Sequence, residues 1–117
     1  MFKIRKEFSF SASHCLDHLP EEHPCARVHG HNYVVTIELW SSHLNQNGFV
    51  KDYRELQSIK DFIDNKLDHR HLNDVLPCMP TAELIASHLF ILFRNEYPQL
   101  MAIEVSETPK TSARYEP

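Results

Sequence analysis

The chain has 117 residues, a formal net charge of −4 and no clustered run of lysine or arginine. Its length predicts a single domain over residues 1–117, and its 42% hydrophobic content is that of a globular protein, not a disordered one. General nucleic-acid binding is disfavoured because neutralising phosphates needs a basic surface. The net charge does not exclude binding of a small anionic substrate.

Cysteine content and hydropathy both bear on the compartment. The three cysteines, Cys15, Cys25 and Cys78, leave one thiol unpaired under any disulfide scheme, which favours a reducing compartment. No apolar run reaches the roughly 18 residues that span a bilayer, and alternating sequence begins at the N-terminus. We therefore expect a cytoplasmic protein with neither a signal peptide nor a membrane-spanning helix.

Period-two alternation predicts two antiparallel strands early in the chain, over residues 2–12 and 29–39. Residues 15–28 between them contain two prolines and several charges, which indicates a loop. Residues 45–48 are typical of a turn, and residues 49–51 are predicted to add a short extended piece. The inward face of the second strand is predicted to consist of Tyr33, Val35, Ile37 and Leu39.

Helical spacing dominates the middle of the chain. A first helix is predicted over about residues 53–67, with Asp52 and Glu55 as a capping box. A second helix is predicted to have Thr81 as its N-cap and to end before Pro98. Its apolar stripe is predicted to contain Leu84, Ile85, His88, Leu89, Ile91 and Leu92.

Alternation returns near the C-terminus. A strand is predicted over residues 101–107, with Met101 and Glu107 on one face, and an edge strand over residues 111–116. The order of strands, helices and strands favours an α+β fold with a four-stranded antiparallel sheet and two helices on one face. Because so small a sheet leaves exposed edges, a homo-oligomer is expected.

The stretch Cys25–His31 reads Cys-Ala-Arg-Val-His-Gly-His, a spacing that indicates a metal site. In a strand, His29 and His31 project from one face, about 6.5 to 7 Å apart. His14 ends the first strand on its apolar face, where the two strands can pair. Catalytic zinc sites keep three protein ligands and structural sites four, so Cys25 is either a fourth ligand or a free thiol beside the metal.

Six motifs, taken in order, resemble the 6-pyruvoyl-tetrahydropterin synthase-like enzymes, and the resemblance covers almost the whole chain. It implies the tunnelling fold, in which three subunits close a twelve-stranded antiparallel barrel and two trimers stack into a hexamer. The motifs are Phe10–His14, Cys25–Tyr33, Gly48–Tyr53, Leu67–His69 with Leu72–Asn73, Pro80–Glu83 and Glu107–Thr108.

The resemblance also implies roles for individual residues. The residues of that family that match His14, His29 and His31 bind zinc. The cysteine that matches Cys25 is the base that moves protons on the substrate side chain, and an aspartate–histidine pair that matches Asp68 and His69 assists it. The glutamate that matches Glu107 anchors the pterin ring, and the motif containing Thr81 implies that this residue also contacts the substrate.

Several of these residues also have an ordinary structural explanation. Without the resemblance, Cys25 could be a small buried apolar residue and His69 a cation favoured at a helix C-terminus. Judged by position in the sequence alone, His71 is as good a candidate as His69 for the proton-transfer role. Glu107 could be a solvated strand residue, and Thr81 only an N-cap.

The implied activity is that of a zinc-dependent carbon–oxygen lyase acting on 7,8-dihydroneopterin triphosphate. The three residues between Cys25 and His29 resemble the bacterial branch of queuosine biosynthesis, which forms 6-carboxy-5,6,7,8-tetrahydropterin with loss of triphosphate and acetaldehyde. The pyruvoyl-forming branch, on the same substrate, is the alternative. A rival from another class is a non-catalytic zinc-stabilised binding module, in which Cys25 and the three histidines close the metal tetrahedron.

Overall fold

Four strands form one antiparallel sheet in the computed structural model, which describes residues 1–117. Their order in the sheet is their order in the chain, and each pairs antiparallel with the next. The predicted antiparallel sheet is therefore confirmed. The strands are β1 (Phe2–His14), β2 (His29–Ser41), β3 (Leu100–Thr108) and β4 (Thr111–Tyr115).

The pairing of β1 with β2 is the longest ladder, running from Phe2 opposite Ser41 to His14 opposite His29. Both strands are longer than predicted, because their pairing extends β1 to His14 beside the connecting loop and β2 to Ser41 at the opposite end. Their inward faces are buried as predicted, with Phe10, Ala12, His14, Tyr33, Val35, Ile37 and Leu39 all less than 9% exposed. The loop therefore leaves and re-enters the sheet beside the candidate metal ligands.

A bulge in β3 overturns one predicted position. Met101 was expected on the inward face, but Leu39 pairs with Leu100 whereas Glu38 pairs with Ala102. The extra residue at Met101 changes the phase of the alternation, and Leu100 takes the inward place at 3% exposure.

Three short helices cover the inward face of the sheet, one more than predicted. The predicted helix over residues 53–67 is composite, because a 3₁₀ turn precedes its α-helical part and a π turn ends it. The additional helix follows directly and has a single turn. The helices are α1 (Gln57–Phe62), α2 (Leu72–Val75) and α3 (Ala82–Phe93).

The predicted helix caps form in part. Thr81 caps α3, with its hydroxyl accepting the Leu84 amide at 3.2 Å. Asp52 caps the 3₁₀ turn by accepting the Arg54 amide at 2.9 Å. Glu55 pairs instead with Lys51, so the reciprocal half of the predicted capping box is absent.

The apolar stripe predicted for α3 is confirmed for Ile85 and Leu89, which are buried, and wrong for its three exposed members. Leu84, Ile91 and Leu92 are 36%, 60% and 43% exposed. The helix is apolar on most of its surface, so periodicity alone does not select the face that meets the sheet. The buried face, which packs on β3 and β4, consists of Ala82, Ile85, Ala86, Leu89, Phe90 and Phe93.

The opposite face of the sheet is polar but partly enclosed. Glu38 on β2 is only 7% exposed there. Arg114 Nη1 and Trp40 Nε1 each donate a hydrogen bond of 2.7 Å to its carboxylate. The Arg114 hydrogen bond, supported by that of Trp40, lowers the pKa of Glu38 to about 2. None of the helices is long and apolar enough to cross a bilayer.

Candidate active site

Three histidines converge where the β1–β2 ladder ends. His14 pairs directly with His29, and His31 lies two residues further along the same face. One ring nitrogen of each histidine lies within 4.8 Å of the other two. Gly30 between the two β2 histidines permits close strand pairing, since a Cβ there would lie 3.3 Å from the carbonyl oxygen of Ala12.

Backbone carbonyls fix the orientation of two of the rings. Nδ1 of His14 lies 2.8 Å from the carbonyl oxygen of Pro80, and Nδ1 of His29 lies 2.7 Å from that of Arg27. A carbonyl only accepts, so each Nδ1 carries the hydrogen and each Nε2 presents a lone pair. The two Nε2 atoms are 2.9 Å apart, an arrangement that a shared cation stabilises.

His31 completes a donor set that fits a divalent metal. Its Nε2 is buried without a hydrogen-bond partner and lies 3.5 Å from Oε2 of Glu107. Burial also lowers the pKa of His14, which favours the neutral form that binds metal. Three imidazoles, two of them oriented by carbonyls, are the kind of donor set that holds zinc in catalytic sites, so these residues could hold such an ion.

Asp68 and His69 form a pair that is anchored to β1. The amide of Ser11 donates to Oδ1 of Asp68 at 2.9 Å, and the amide of His69 donates to the carbonyl of Ser11 at 2.6 Å. Oδ2 of Asp68 lies 2.9 Å from Nδ1 of His69. The Ser11 amide and then the His69 ring lower the pKa of Asp68, so the ionised carboxylate orients an imidazole whose side chain is 82% exposed.

Two further contacts, missed by sequence reasoning, attach the same segment to β1. Nδ1 of His71 lies 2.9 Å from the Ser13 hydroxyl. The Asn73 side chain accepts the amide of Cys15 at 2.9 Å and donates to its carbonyl at 2.8 Å. No periodic pattern predicts these contacts, because they depend on a segment that crosses beside the end of a strand.

An open depression of about 490 Å³ connects the exposed pair with the histidine cluster. His31 and His69 both line it, together with Arg70 and His71, and Ala12 is its only hydrophobic residue. The depression is therefore a polar surface that is bordered by His69, a candidate for proton transfer, and by His31, a candidate metal ligand.

A second depression, of about 450 Å³, borders Glu107, the residue whose carboxylate approaches His31. It is lined by Glu107 together with Ala82 and Glu83 from the first turn of α3. Thr81 itself does not line it, and its hydroxyl is engaged as the cap of that helix. Glu107 therefore presents its carboxylate between a cavity and the metal-ligand candidates.

Cys25 lies apart from the histidine cluster, half-buried in a 3₁₀ turn of the β1–β2 loop. Its thiol is not among the donor atoms that converge within 4.8 Å, and no hydrogen bond joins it to Asp68 or His69. Its backbone is fixed on both sides, because its amide donates to Nδ1 of His23 at 3.0 Å and its carbonyl accepts the Leu16 amide at 2.8 Å. Sequence reasoning assigned no role to His23.

Comparisons with known proteins match both the fold and the sequence. Residues 3–117 match the family profile described as 6-pyruvoyl tetrahydropterin synthase. The chain therefore belongs to the 6-pyruvoyl tetrahydropterin synthase family.

Individual relatives extend the match across almost the entire chain. It is 38% identical to the 6-carboxy-5,6,7,8-tetrahydropterin synthase of Synechocystis sp., covering 98% of this chain and 93% of the relative. It is 32% identical to the enzyme of the same name from Haemophilus influenzae, covering 99% of both chains. The structure of Caenorhabditis elegans 6-pyruvoyl tetrahydropterin synthase superimposes with a TM-score of 0.86 at 25% identity, covering 99% of this chain and 95% of that chain.

Proposed function

We propose that the protein is a 6-carboxy-5,6,7,8-tetrahydropterin synthase, a zinc-dependent lyase. Its substrate is 7,8-dihydroneopterin triphosphate, and triphosphate and acetaldehyde are lost in forming the product, a precursor in queuosine biosynthesis. The observation that carries this proposal is the convergence of His14, His29 and His31 within 4.8 Å in a chain of this family. The carboxy product is favoured over the pyruvoyl one by the names of the Synechocystis and Haemophilus relatives.

The metal would be held by ring nitrogens of the three histidines. The carbonyls of Pro80 and Arg27 keep two of these rings in the tautomer that binds metal through Nε2. Zinc, when bound, supplies Lewis-acid stabilisation of negative charge on the side-chain oxygens of the substrate.

Proton transfer is assigned to Cys25, Asp68 and His69. Cys25, as the thiolate, removes the C–H proton from the substrate side chain. Asp68 accepts the Nδ1 hydrogen of His69, which leaves Nε2 of that imidazole able to take up or release a proton. Fixing the His69 tautomer is thus the contribution of Asp68.

Substrate recognition is assigned to Glu107. Its carboxylate offers two acceptors in one plane, which match the paired N–H donors at the edge of a 2-amino-4-oxo pterin. Ala82 and Glu83 line the cavity beside Glu107, which supports ring binding next to the Thr81 cap of α3. The substrate contact of Thr81 stays a prediction, because its hydroxyl accepts the Leu84 amide and keeps a hydrogen that can be donated.

A homo-oligomer, a hexamer built as a dimer of trimers, accounts for two features of this chain. The strands β1 and β4 are the two edges of the sheet, and pairing them between subunits would close a barrel. The exposed His69 and the separate Cys25 also suit a site completed by a neighbouring subunit. The single domain over residues 1–117 and the cytoplasmic location stay predictions.

Product analysis tests the proposal. The zinc-loaded protein is incubated with 7,8-dihydroneopterin triphosphate, and the products are identified by mass spectrometry. We expect 6-carboxy-5,6,7,8-tetrahydropterin together with acetaldehyde and triphosphate. A pyruvoyl product without acetaldehyde would assign the protein to the alternative branch, and bound zinc without turnover would favour the non-catalytic module.

A further inference from the structure

Tyr33 carries a buried hydroxyl that the chain does not satisfy. Only two buried side-chain polar atoms lack a hydrogen-bond partner, Nε2 of His31 and Oη of Tyr33. A metal bound to His31 would account for its unpaired Nε2. It would not account for the unpaired Oη of Tyr33, because the three histidines already supply the ligands. Leaving a buried hydroxyl without a hydrogen-bond partner is unfavourable, so a tyrosine with 0% exposure at this position requires an explanation.

The ring of Tyr33 is held in place beneath the metal-ligand candidates. It stacks on Phe10 with a centroid separation of 4.7 Å and an interplanar angle of 6°. The rings of His31 and His14 stand nearly perpendicular to it, with centroids 5.5 and 6.0 Å away. The stacked ring cannot turn its hydroxyl towards bulk water, so a partner must come from the site itself.

Glu107 is the carboxylate next to this group of rings. Its Oε2 lies 3.5 Å from Nε2 of His31, and His31 packs against the Tyr33 ring. A metal on Nε2 would engage the nitrogen that Glu107 approaches here, leaving the carboxylate able to accept another hydrogen. A neutral tyrosine hydroxyl has one hydrogen to donate.

We propose that Tyr33 is a positioning residue whose hydroxyl donates to the Glu107 carboxylate when the three histidines hold their metal. Such a hydrogen bond is charge-assisted and fixes the plane of the acceptor. It would hold Glu107 in the orientation that receives the two N–H donors of a pterin edge. The inference rests on the proposed function, since that function gives Glu107 its ligand.

The Tyr33→Phe variant tests this inference because it keeps the stacked ring and removes only the hydroxyl. We expect the thermal stability of the metal-free protein to be unchanged or raised, since no hydrogen bond is lost. Zinc affinity should stay within about twofold because tyrosine is not a ligand. Binding of neopterin, an oxidised pterin that does not turn over, should weaken about tenfold, as measured by fluorescence titration of the zinc-loaded protein.

A second substitution checks that Tyr33 acts through Glu107. On a Glu107→Ala background, Tyr33→Phe should leave neopterin affinity unchanged, since two residues that act as one unit are non-additive. Tyr97→Phe is the matched control, because the Tyr97 hydroxyl donates to the Glu55 carbonyl at 2.9 Å. That control should lose stability and keep neopterin affinity, the reverse of Tyr33→Phe.

Three results would overturn the inference: unchanged neopterin affinity in Tyr33→Phe, lower stability of its metal-free form, or equal effects in the presence and absence of Glu107. Failure of the proposed function gives a different result, namely no neopterin binding by the unaltered zinc-loaded protein.

Discussion

Nε2 of His14 and Nε2 of His29 face each other at 2.9 Å across the first pair of strands. Each ring places its other nitrogen on a backbone carbonyl, so the hydrogens lie on the far sides of the rings. Two lone pairs at this separation repel each other unless a cation is placed near both. The strand pairing therefore places two ring nitrogens where a bound metal ion would relieve their repulsion.

Removing one of these imidazoles should abolish tight zinc binding. We expect His29→Ala to weaken zinc affinity by more than about 100-fold, a larger effect than the 10–100-fold typical of losing a residue that only orients a ligand. Competition with a chromophoric chelator measures this affinity. His43→Ala is the control, because His43 is exposed and lies outside the cluster. Zinc binding of wild-type strength in His29→Ala would refute the three-histidine site.

Replacing the thiol should separate catalysis from metal binding. We expect Cys25→Ala to keep its fold and one zinc per chain while turnover falls by at least about 100-fold, the scale of a lost proton-transfer group. Zinc analysis, circular dichroism and product formation are measured on the same sample. Cys78→Ala should retain turnover, since that thiol packs against the hydrophobic core and donates its hydrogen bond to the Leu84 carbonyl, at 3.9 Å. Joint loss of zinc and fold in Cys25→Ala would instead indicate a four-ligand structural site.

His69 allows the effect of its backbone on stability to be measured separately from the role of its side chain in turnover. Its backbone is left-handed, with a φ of 59°, a conformation that costs a residue with a Cβ about 1 kcal/mol and costs glycine almost nothing. We therefore expect His69→Gly to be more stable than His69→Ala by about 1 kcal/mol in urea denaturation. Both variants should lose turnover because Asp68 no longer has an imidazole to orient. Retained activity in the glycine variant would remove His69 from proton transfer.

The strand pattern made the convergence of the three histidines predictable. Alternation fixed the common face of His29 and His31, and the same rule put His14 at the end of a strand able to pair with theirs. The buried side of α3 could not be predicted from the spacing of its apolar residues. This helix is apolar on most sides, and its contacts with the sheet decide which side is buried. The bulge at Met101 could not be predicted either, because it depends on how β2 and β3, two strands far apart in the sequence, pair with each other.

Contacts between distant segments account for the rest of what sequence reasoning missed. The hydrogen bonds of Ser11 with Asp68 and His69 join residues 57 or more positions apart, and no local pattern predicts them. The histidine that accepts the Cys25 amide is only two residues away. His23 was missed because the sequence does not distinguish a histidine that caps a 3₁₀ turn from any other histidine in a loop.

Acidification should reveal the contribution of Glu38 to stability. Its pKa is lowered from 4.5 to about 2, chiefly by the Arg114 hydrogen bond. Because the folded-state pKa lies below the unfolded one, the stabilisation is complete above about pH 4.5 and is lost as the pH falls towards 2. The shift corresponds to up to about 3 kcal/mol, so urea denaturation should find Glu38→Gln less stable than wild type at pH 7, with the difference vanishing near pH 2.

Glu116→Gln is the control for this prediction. Glu116 also accepts a hydrogen bond from Arg114, but its side chain is 53% exposed, and a solvent-screened pair contributes little. A difference between wild type and Glu38→Gln that stayed constant from pH 7 to pH 2 would contradict the assigned ionisation.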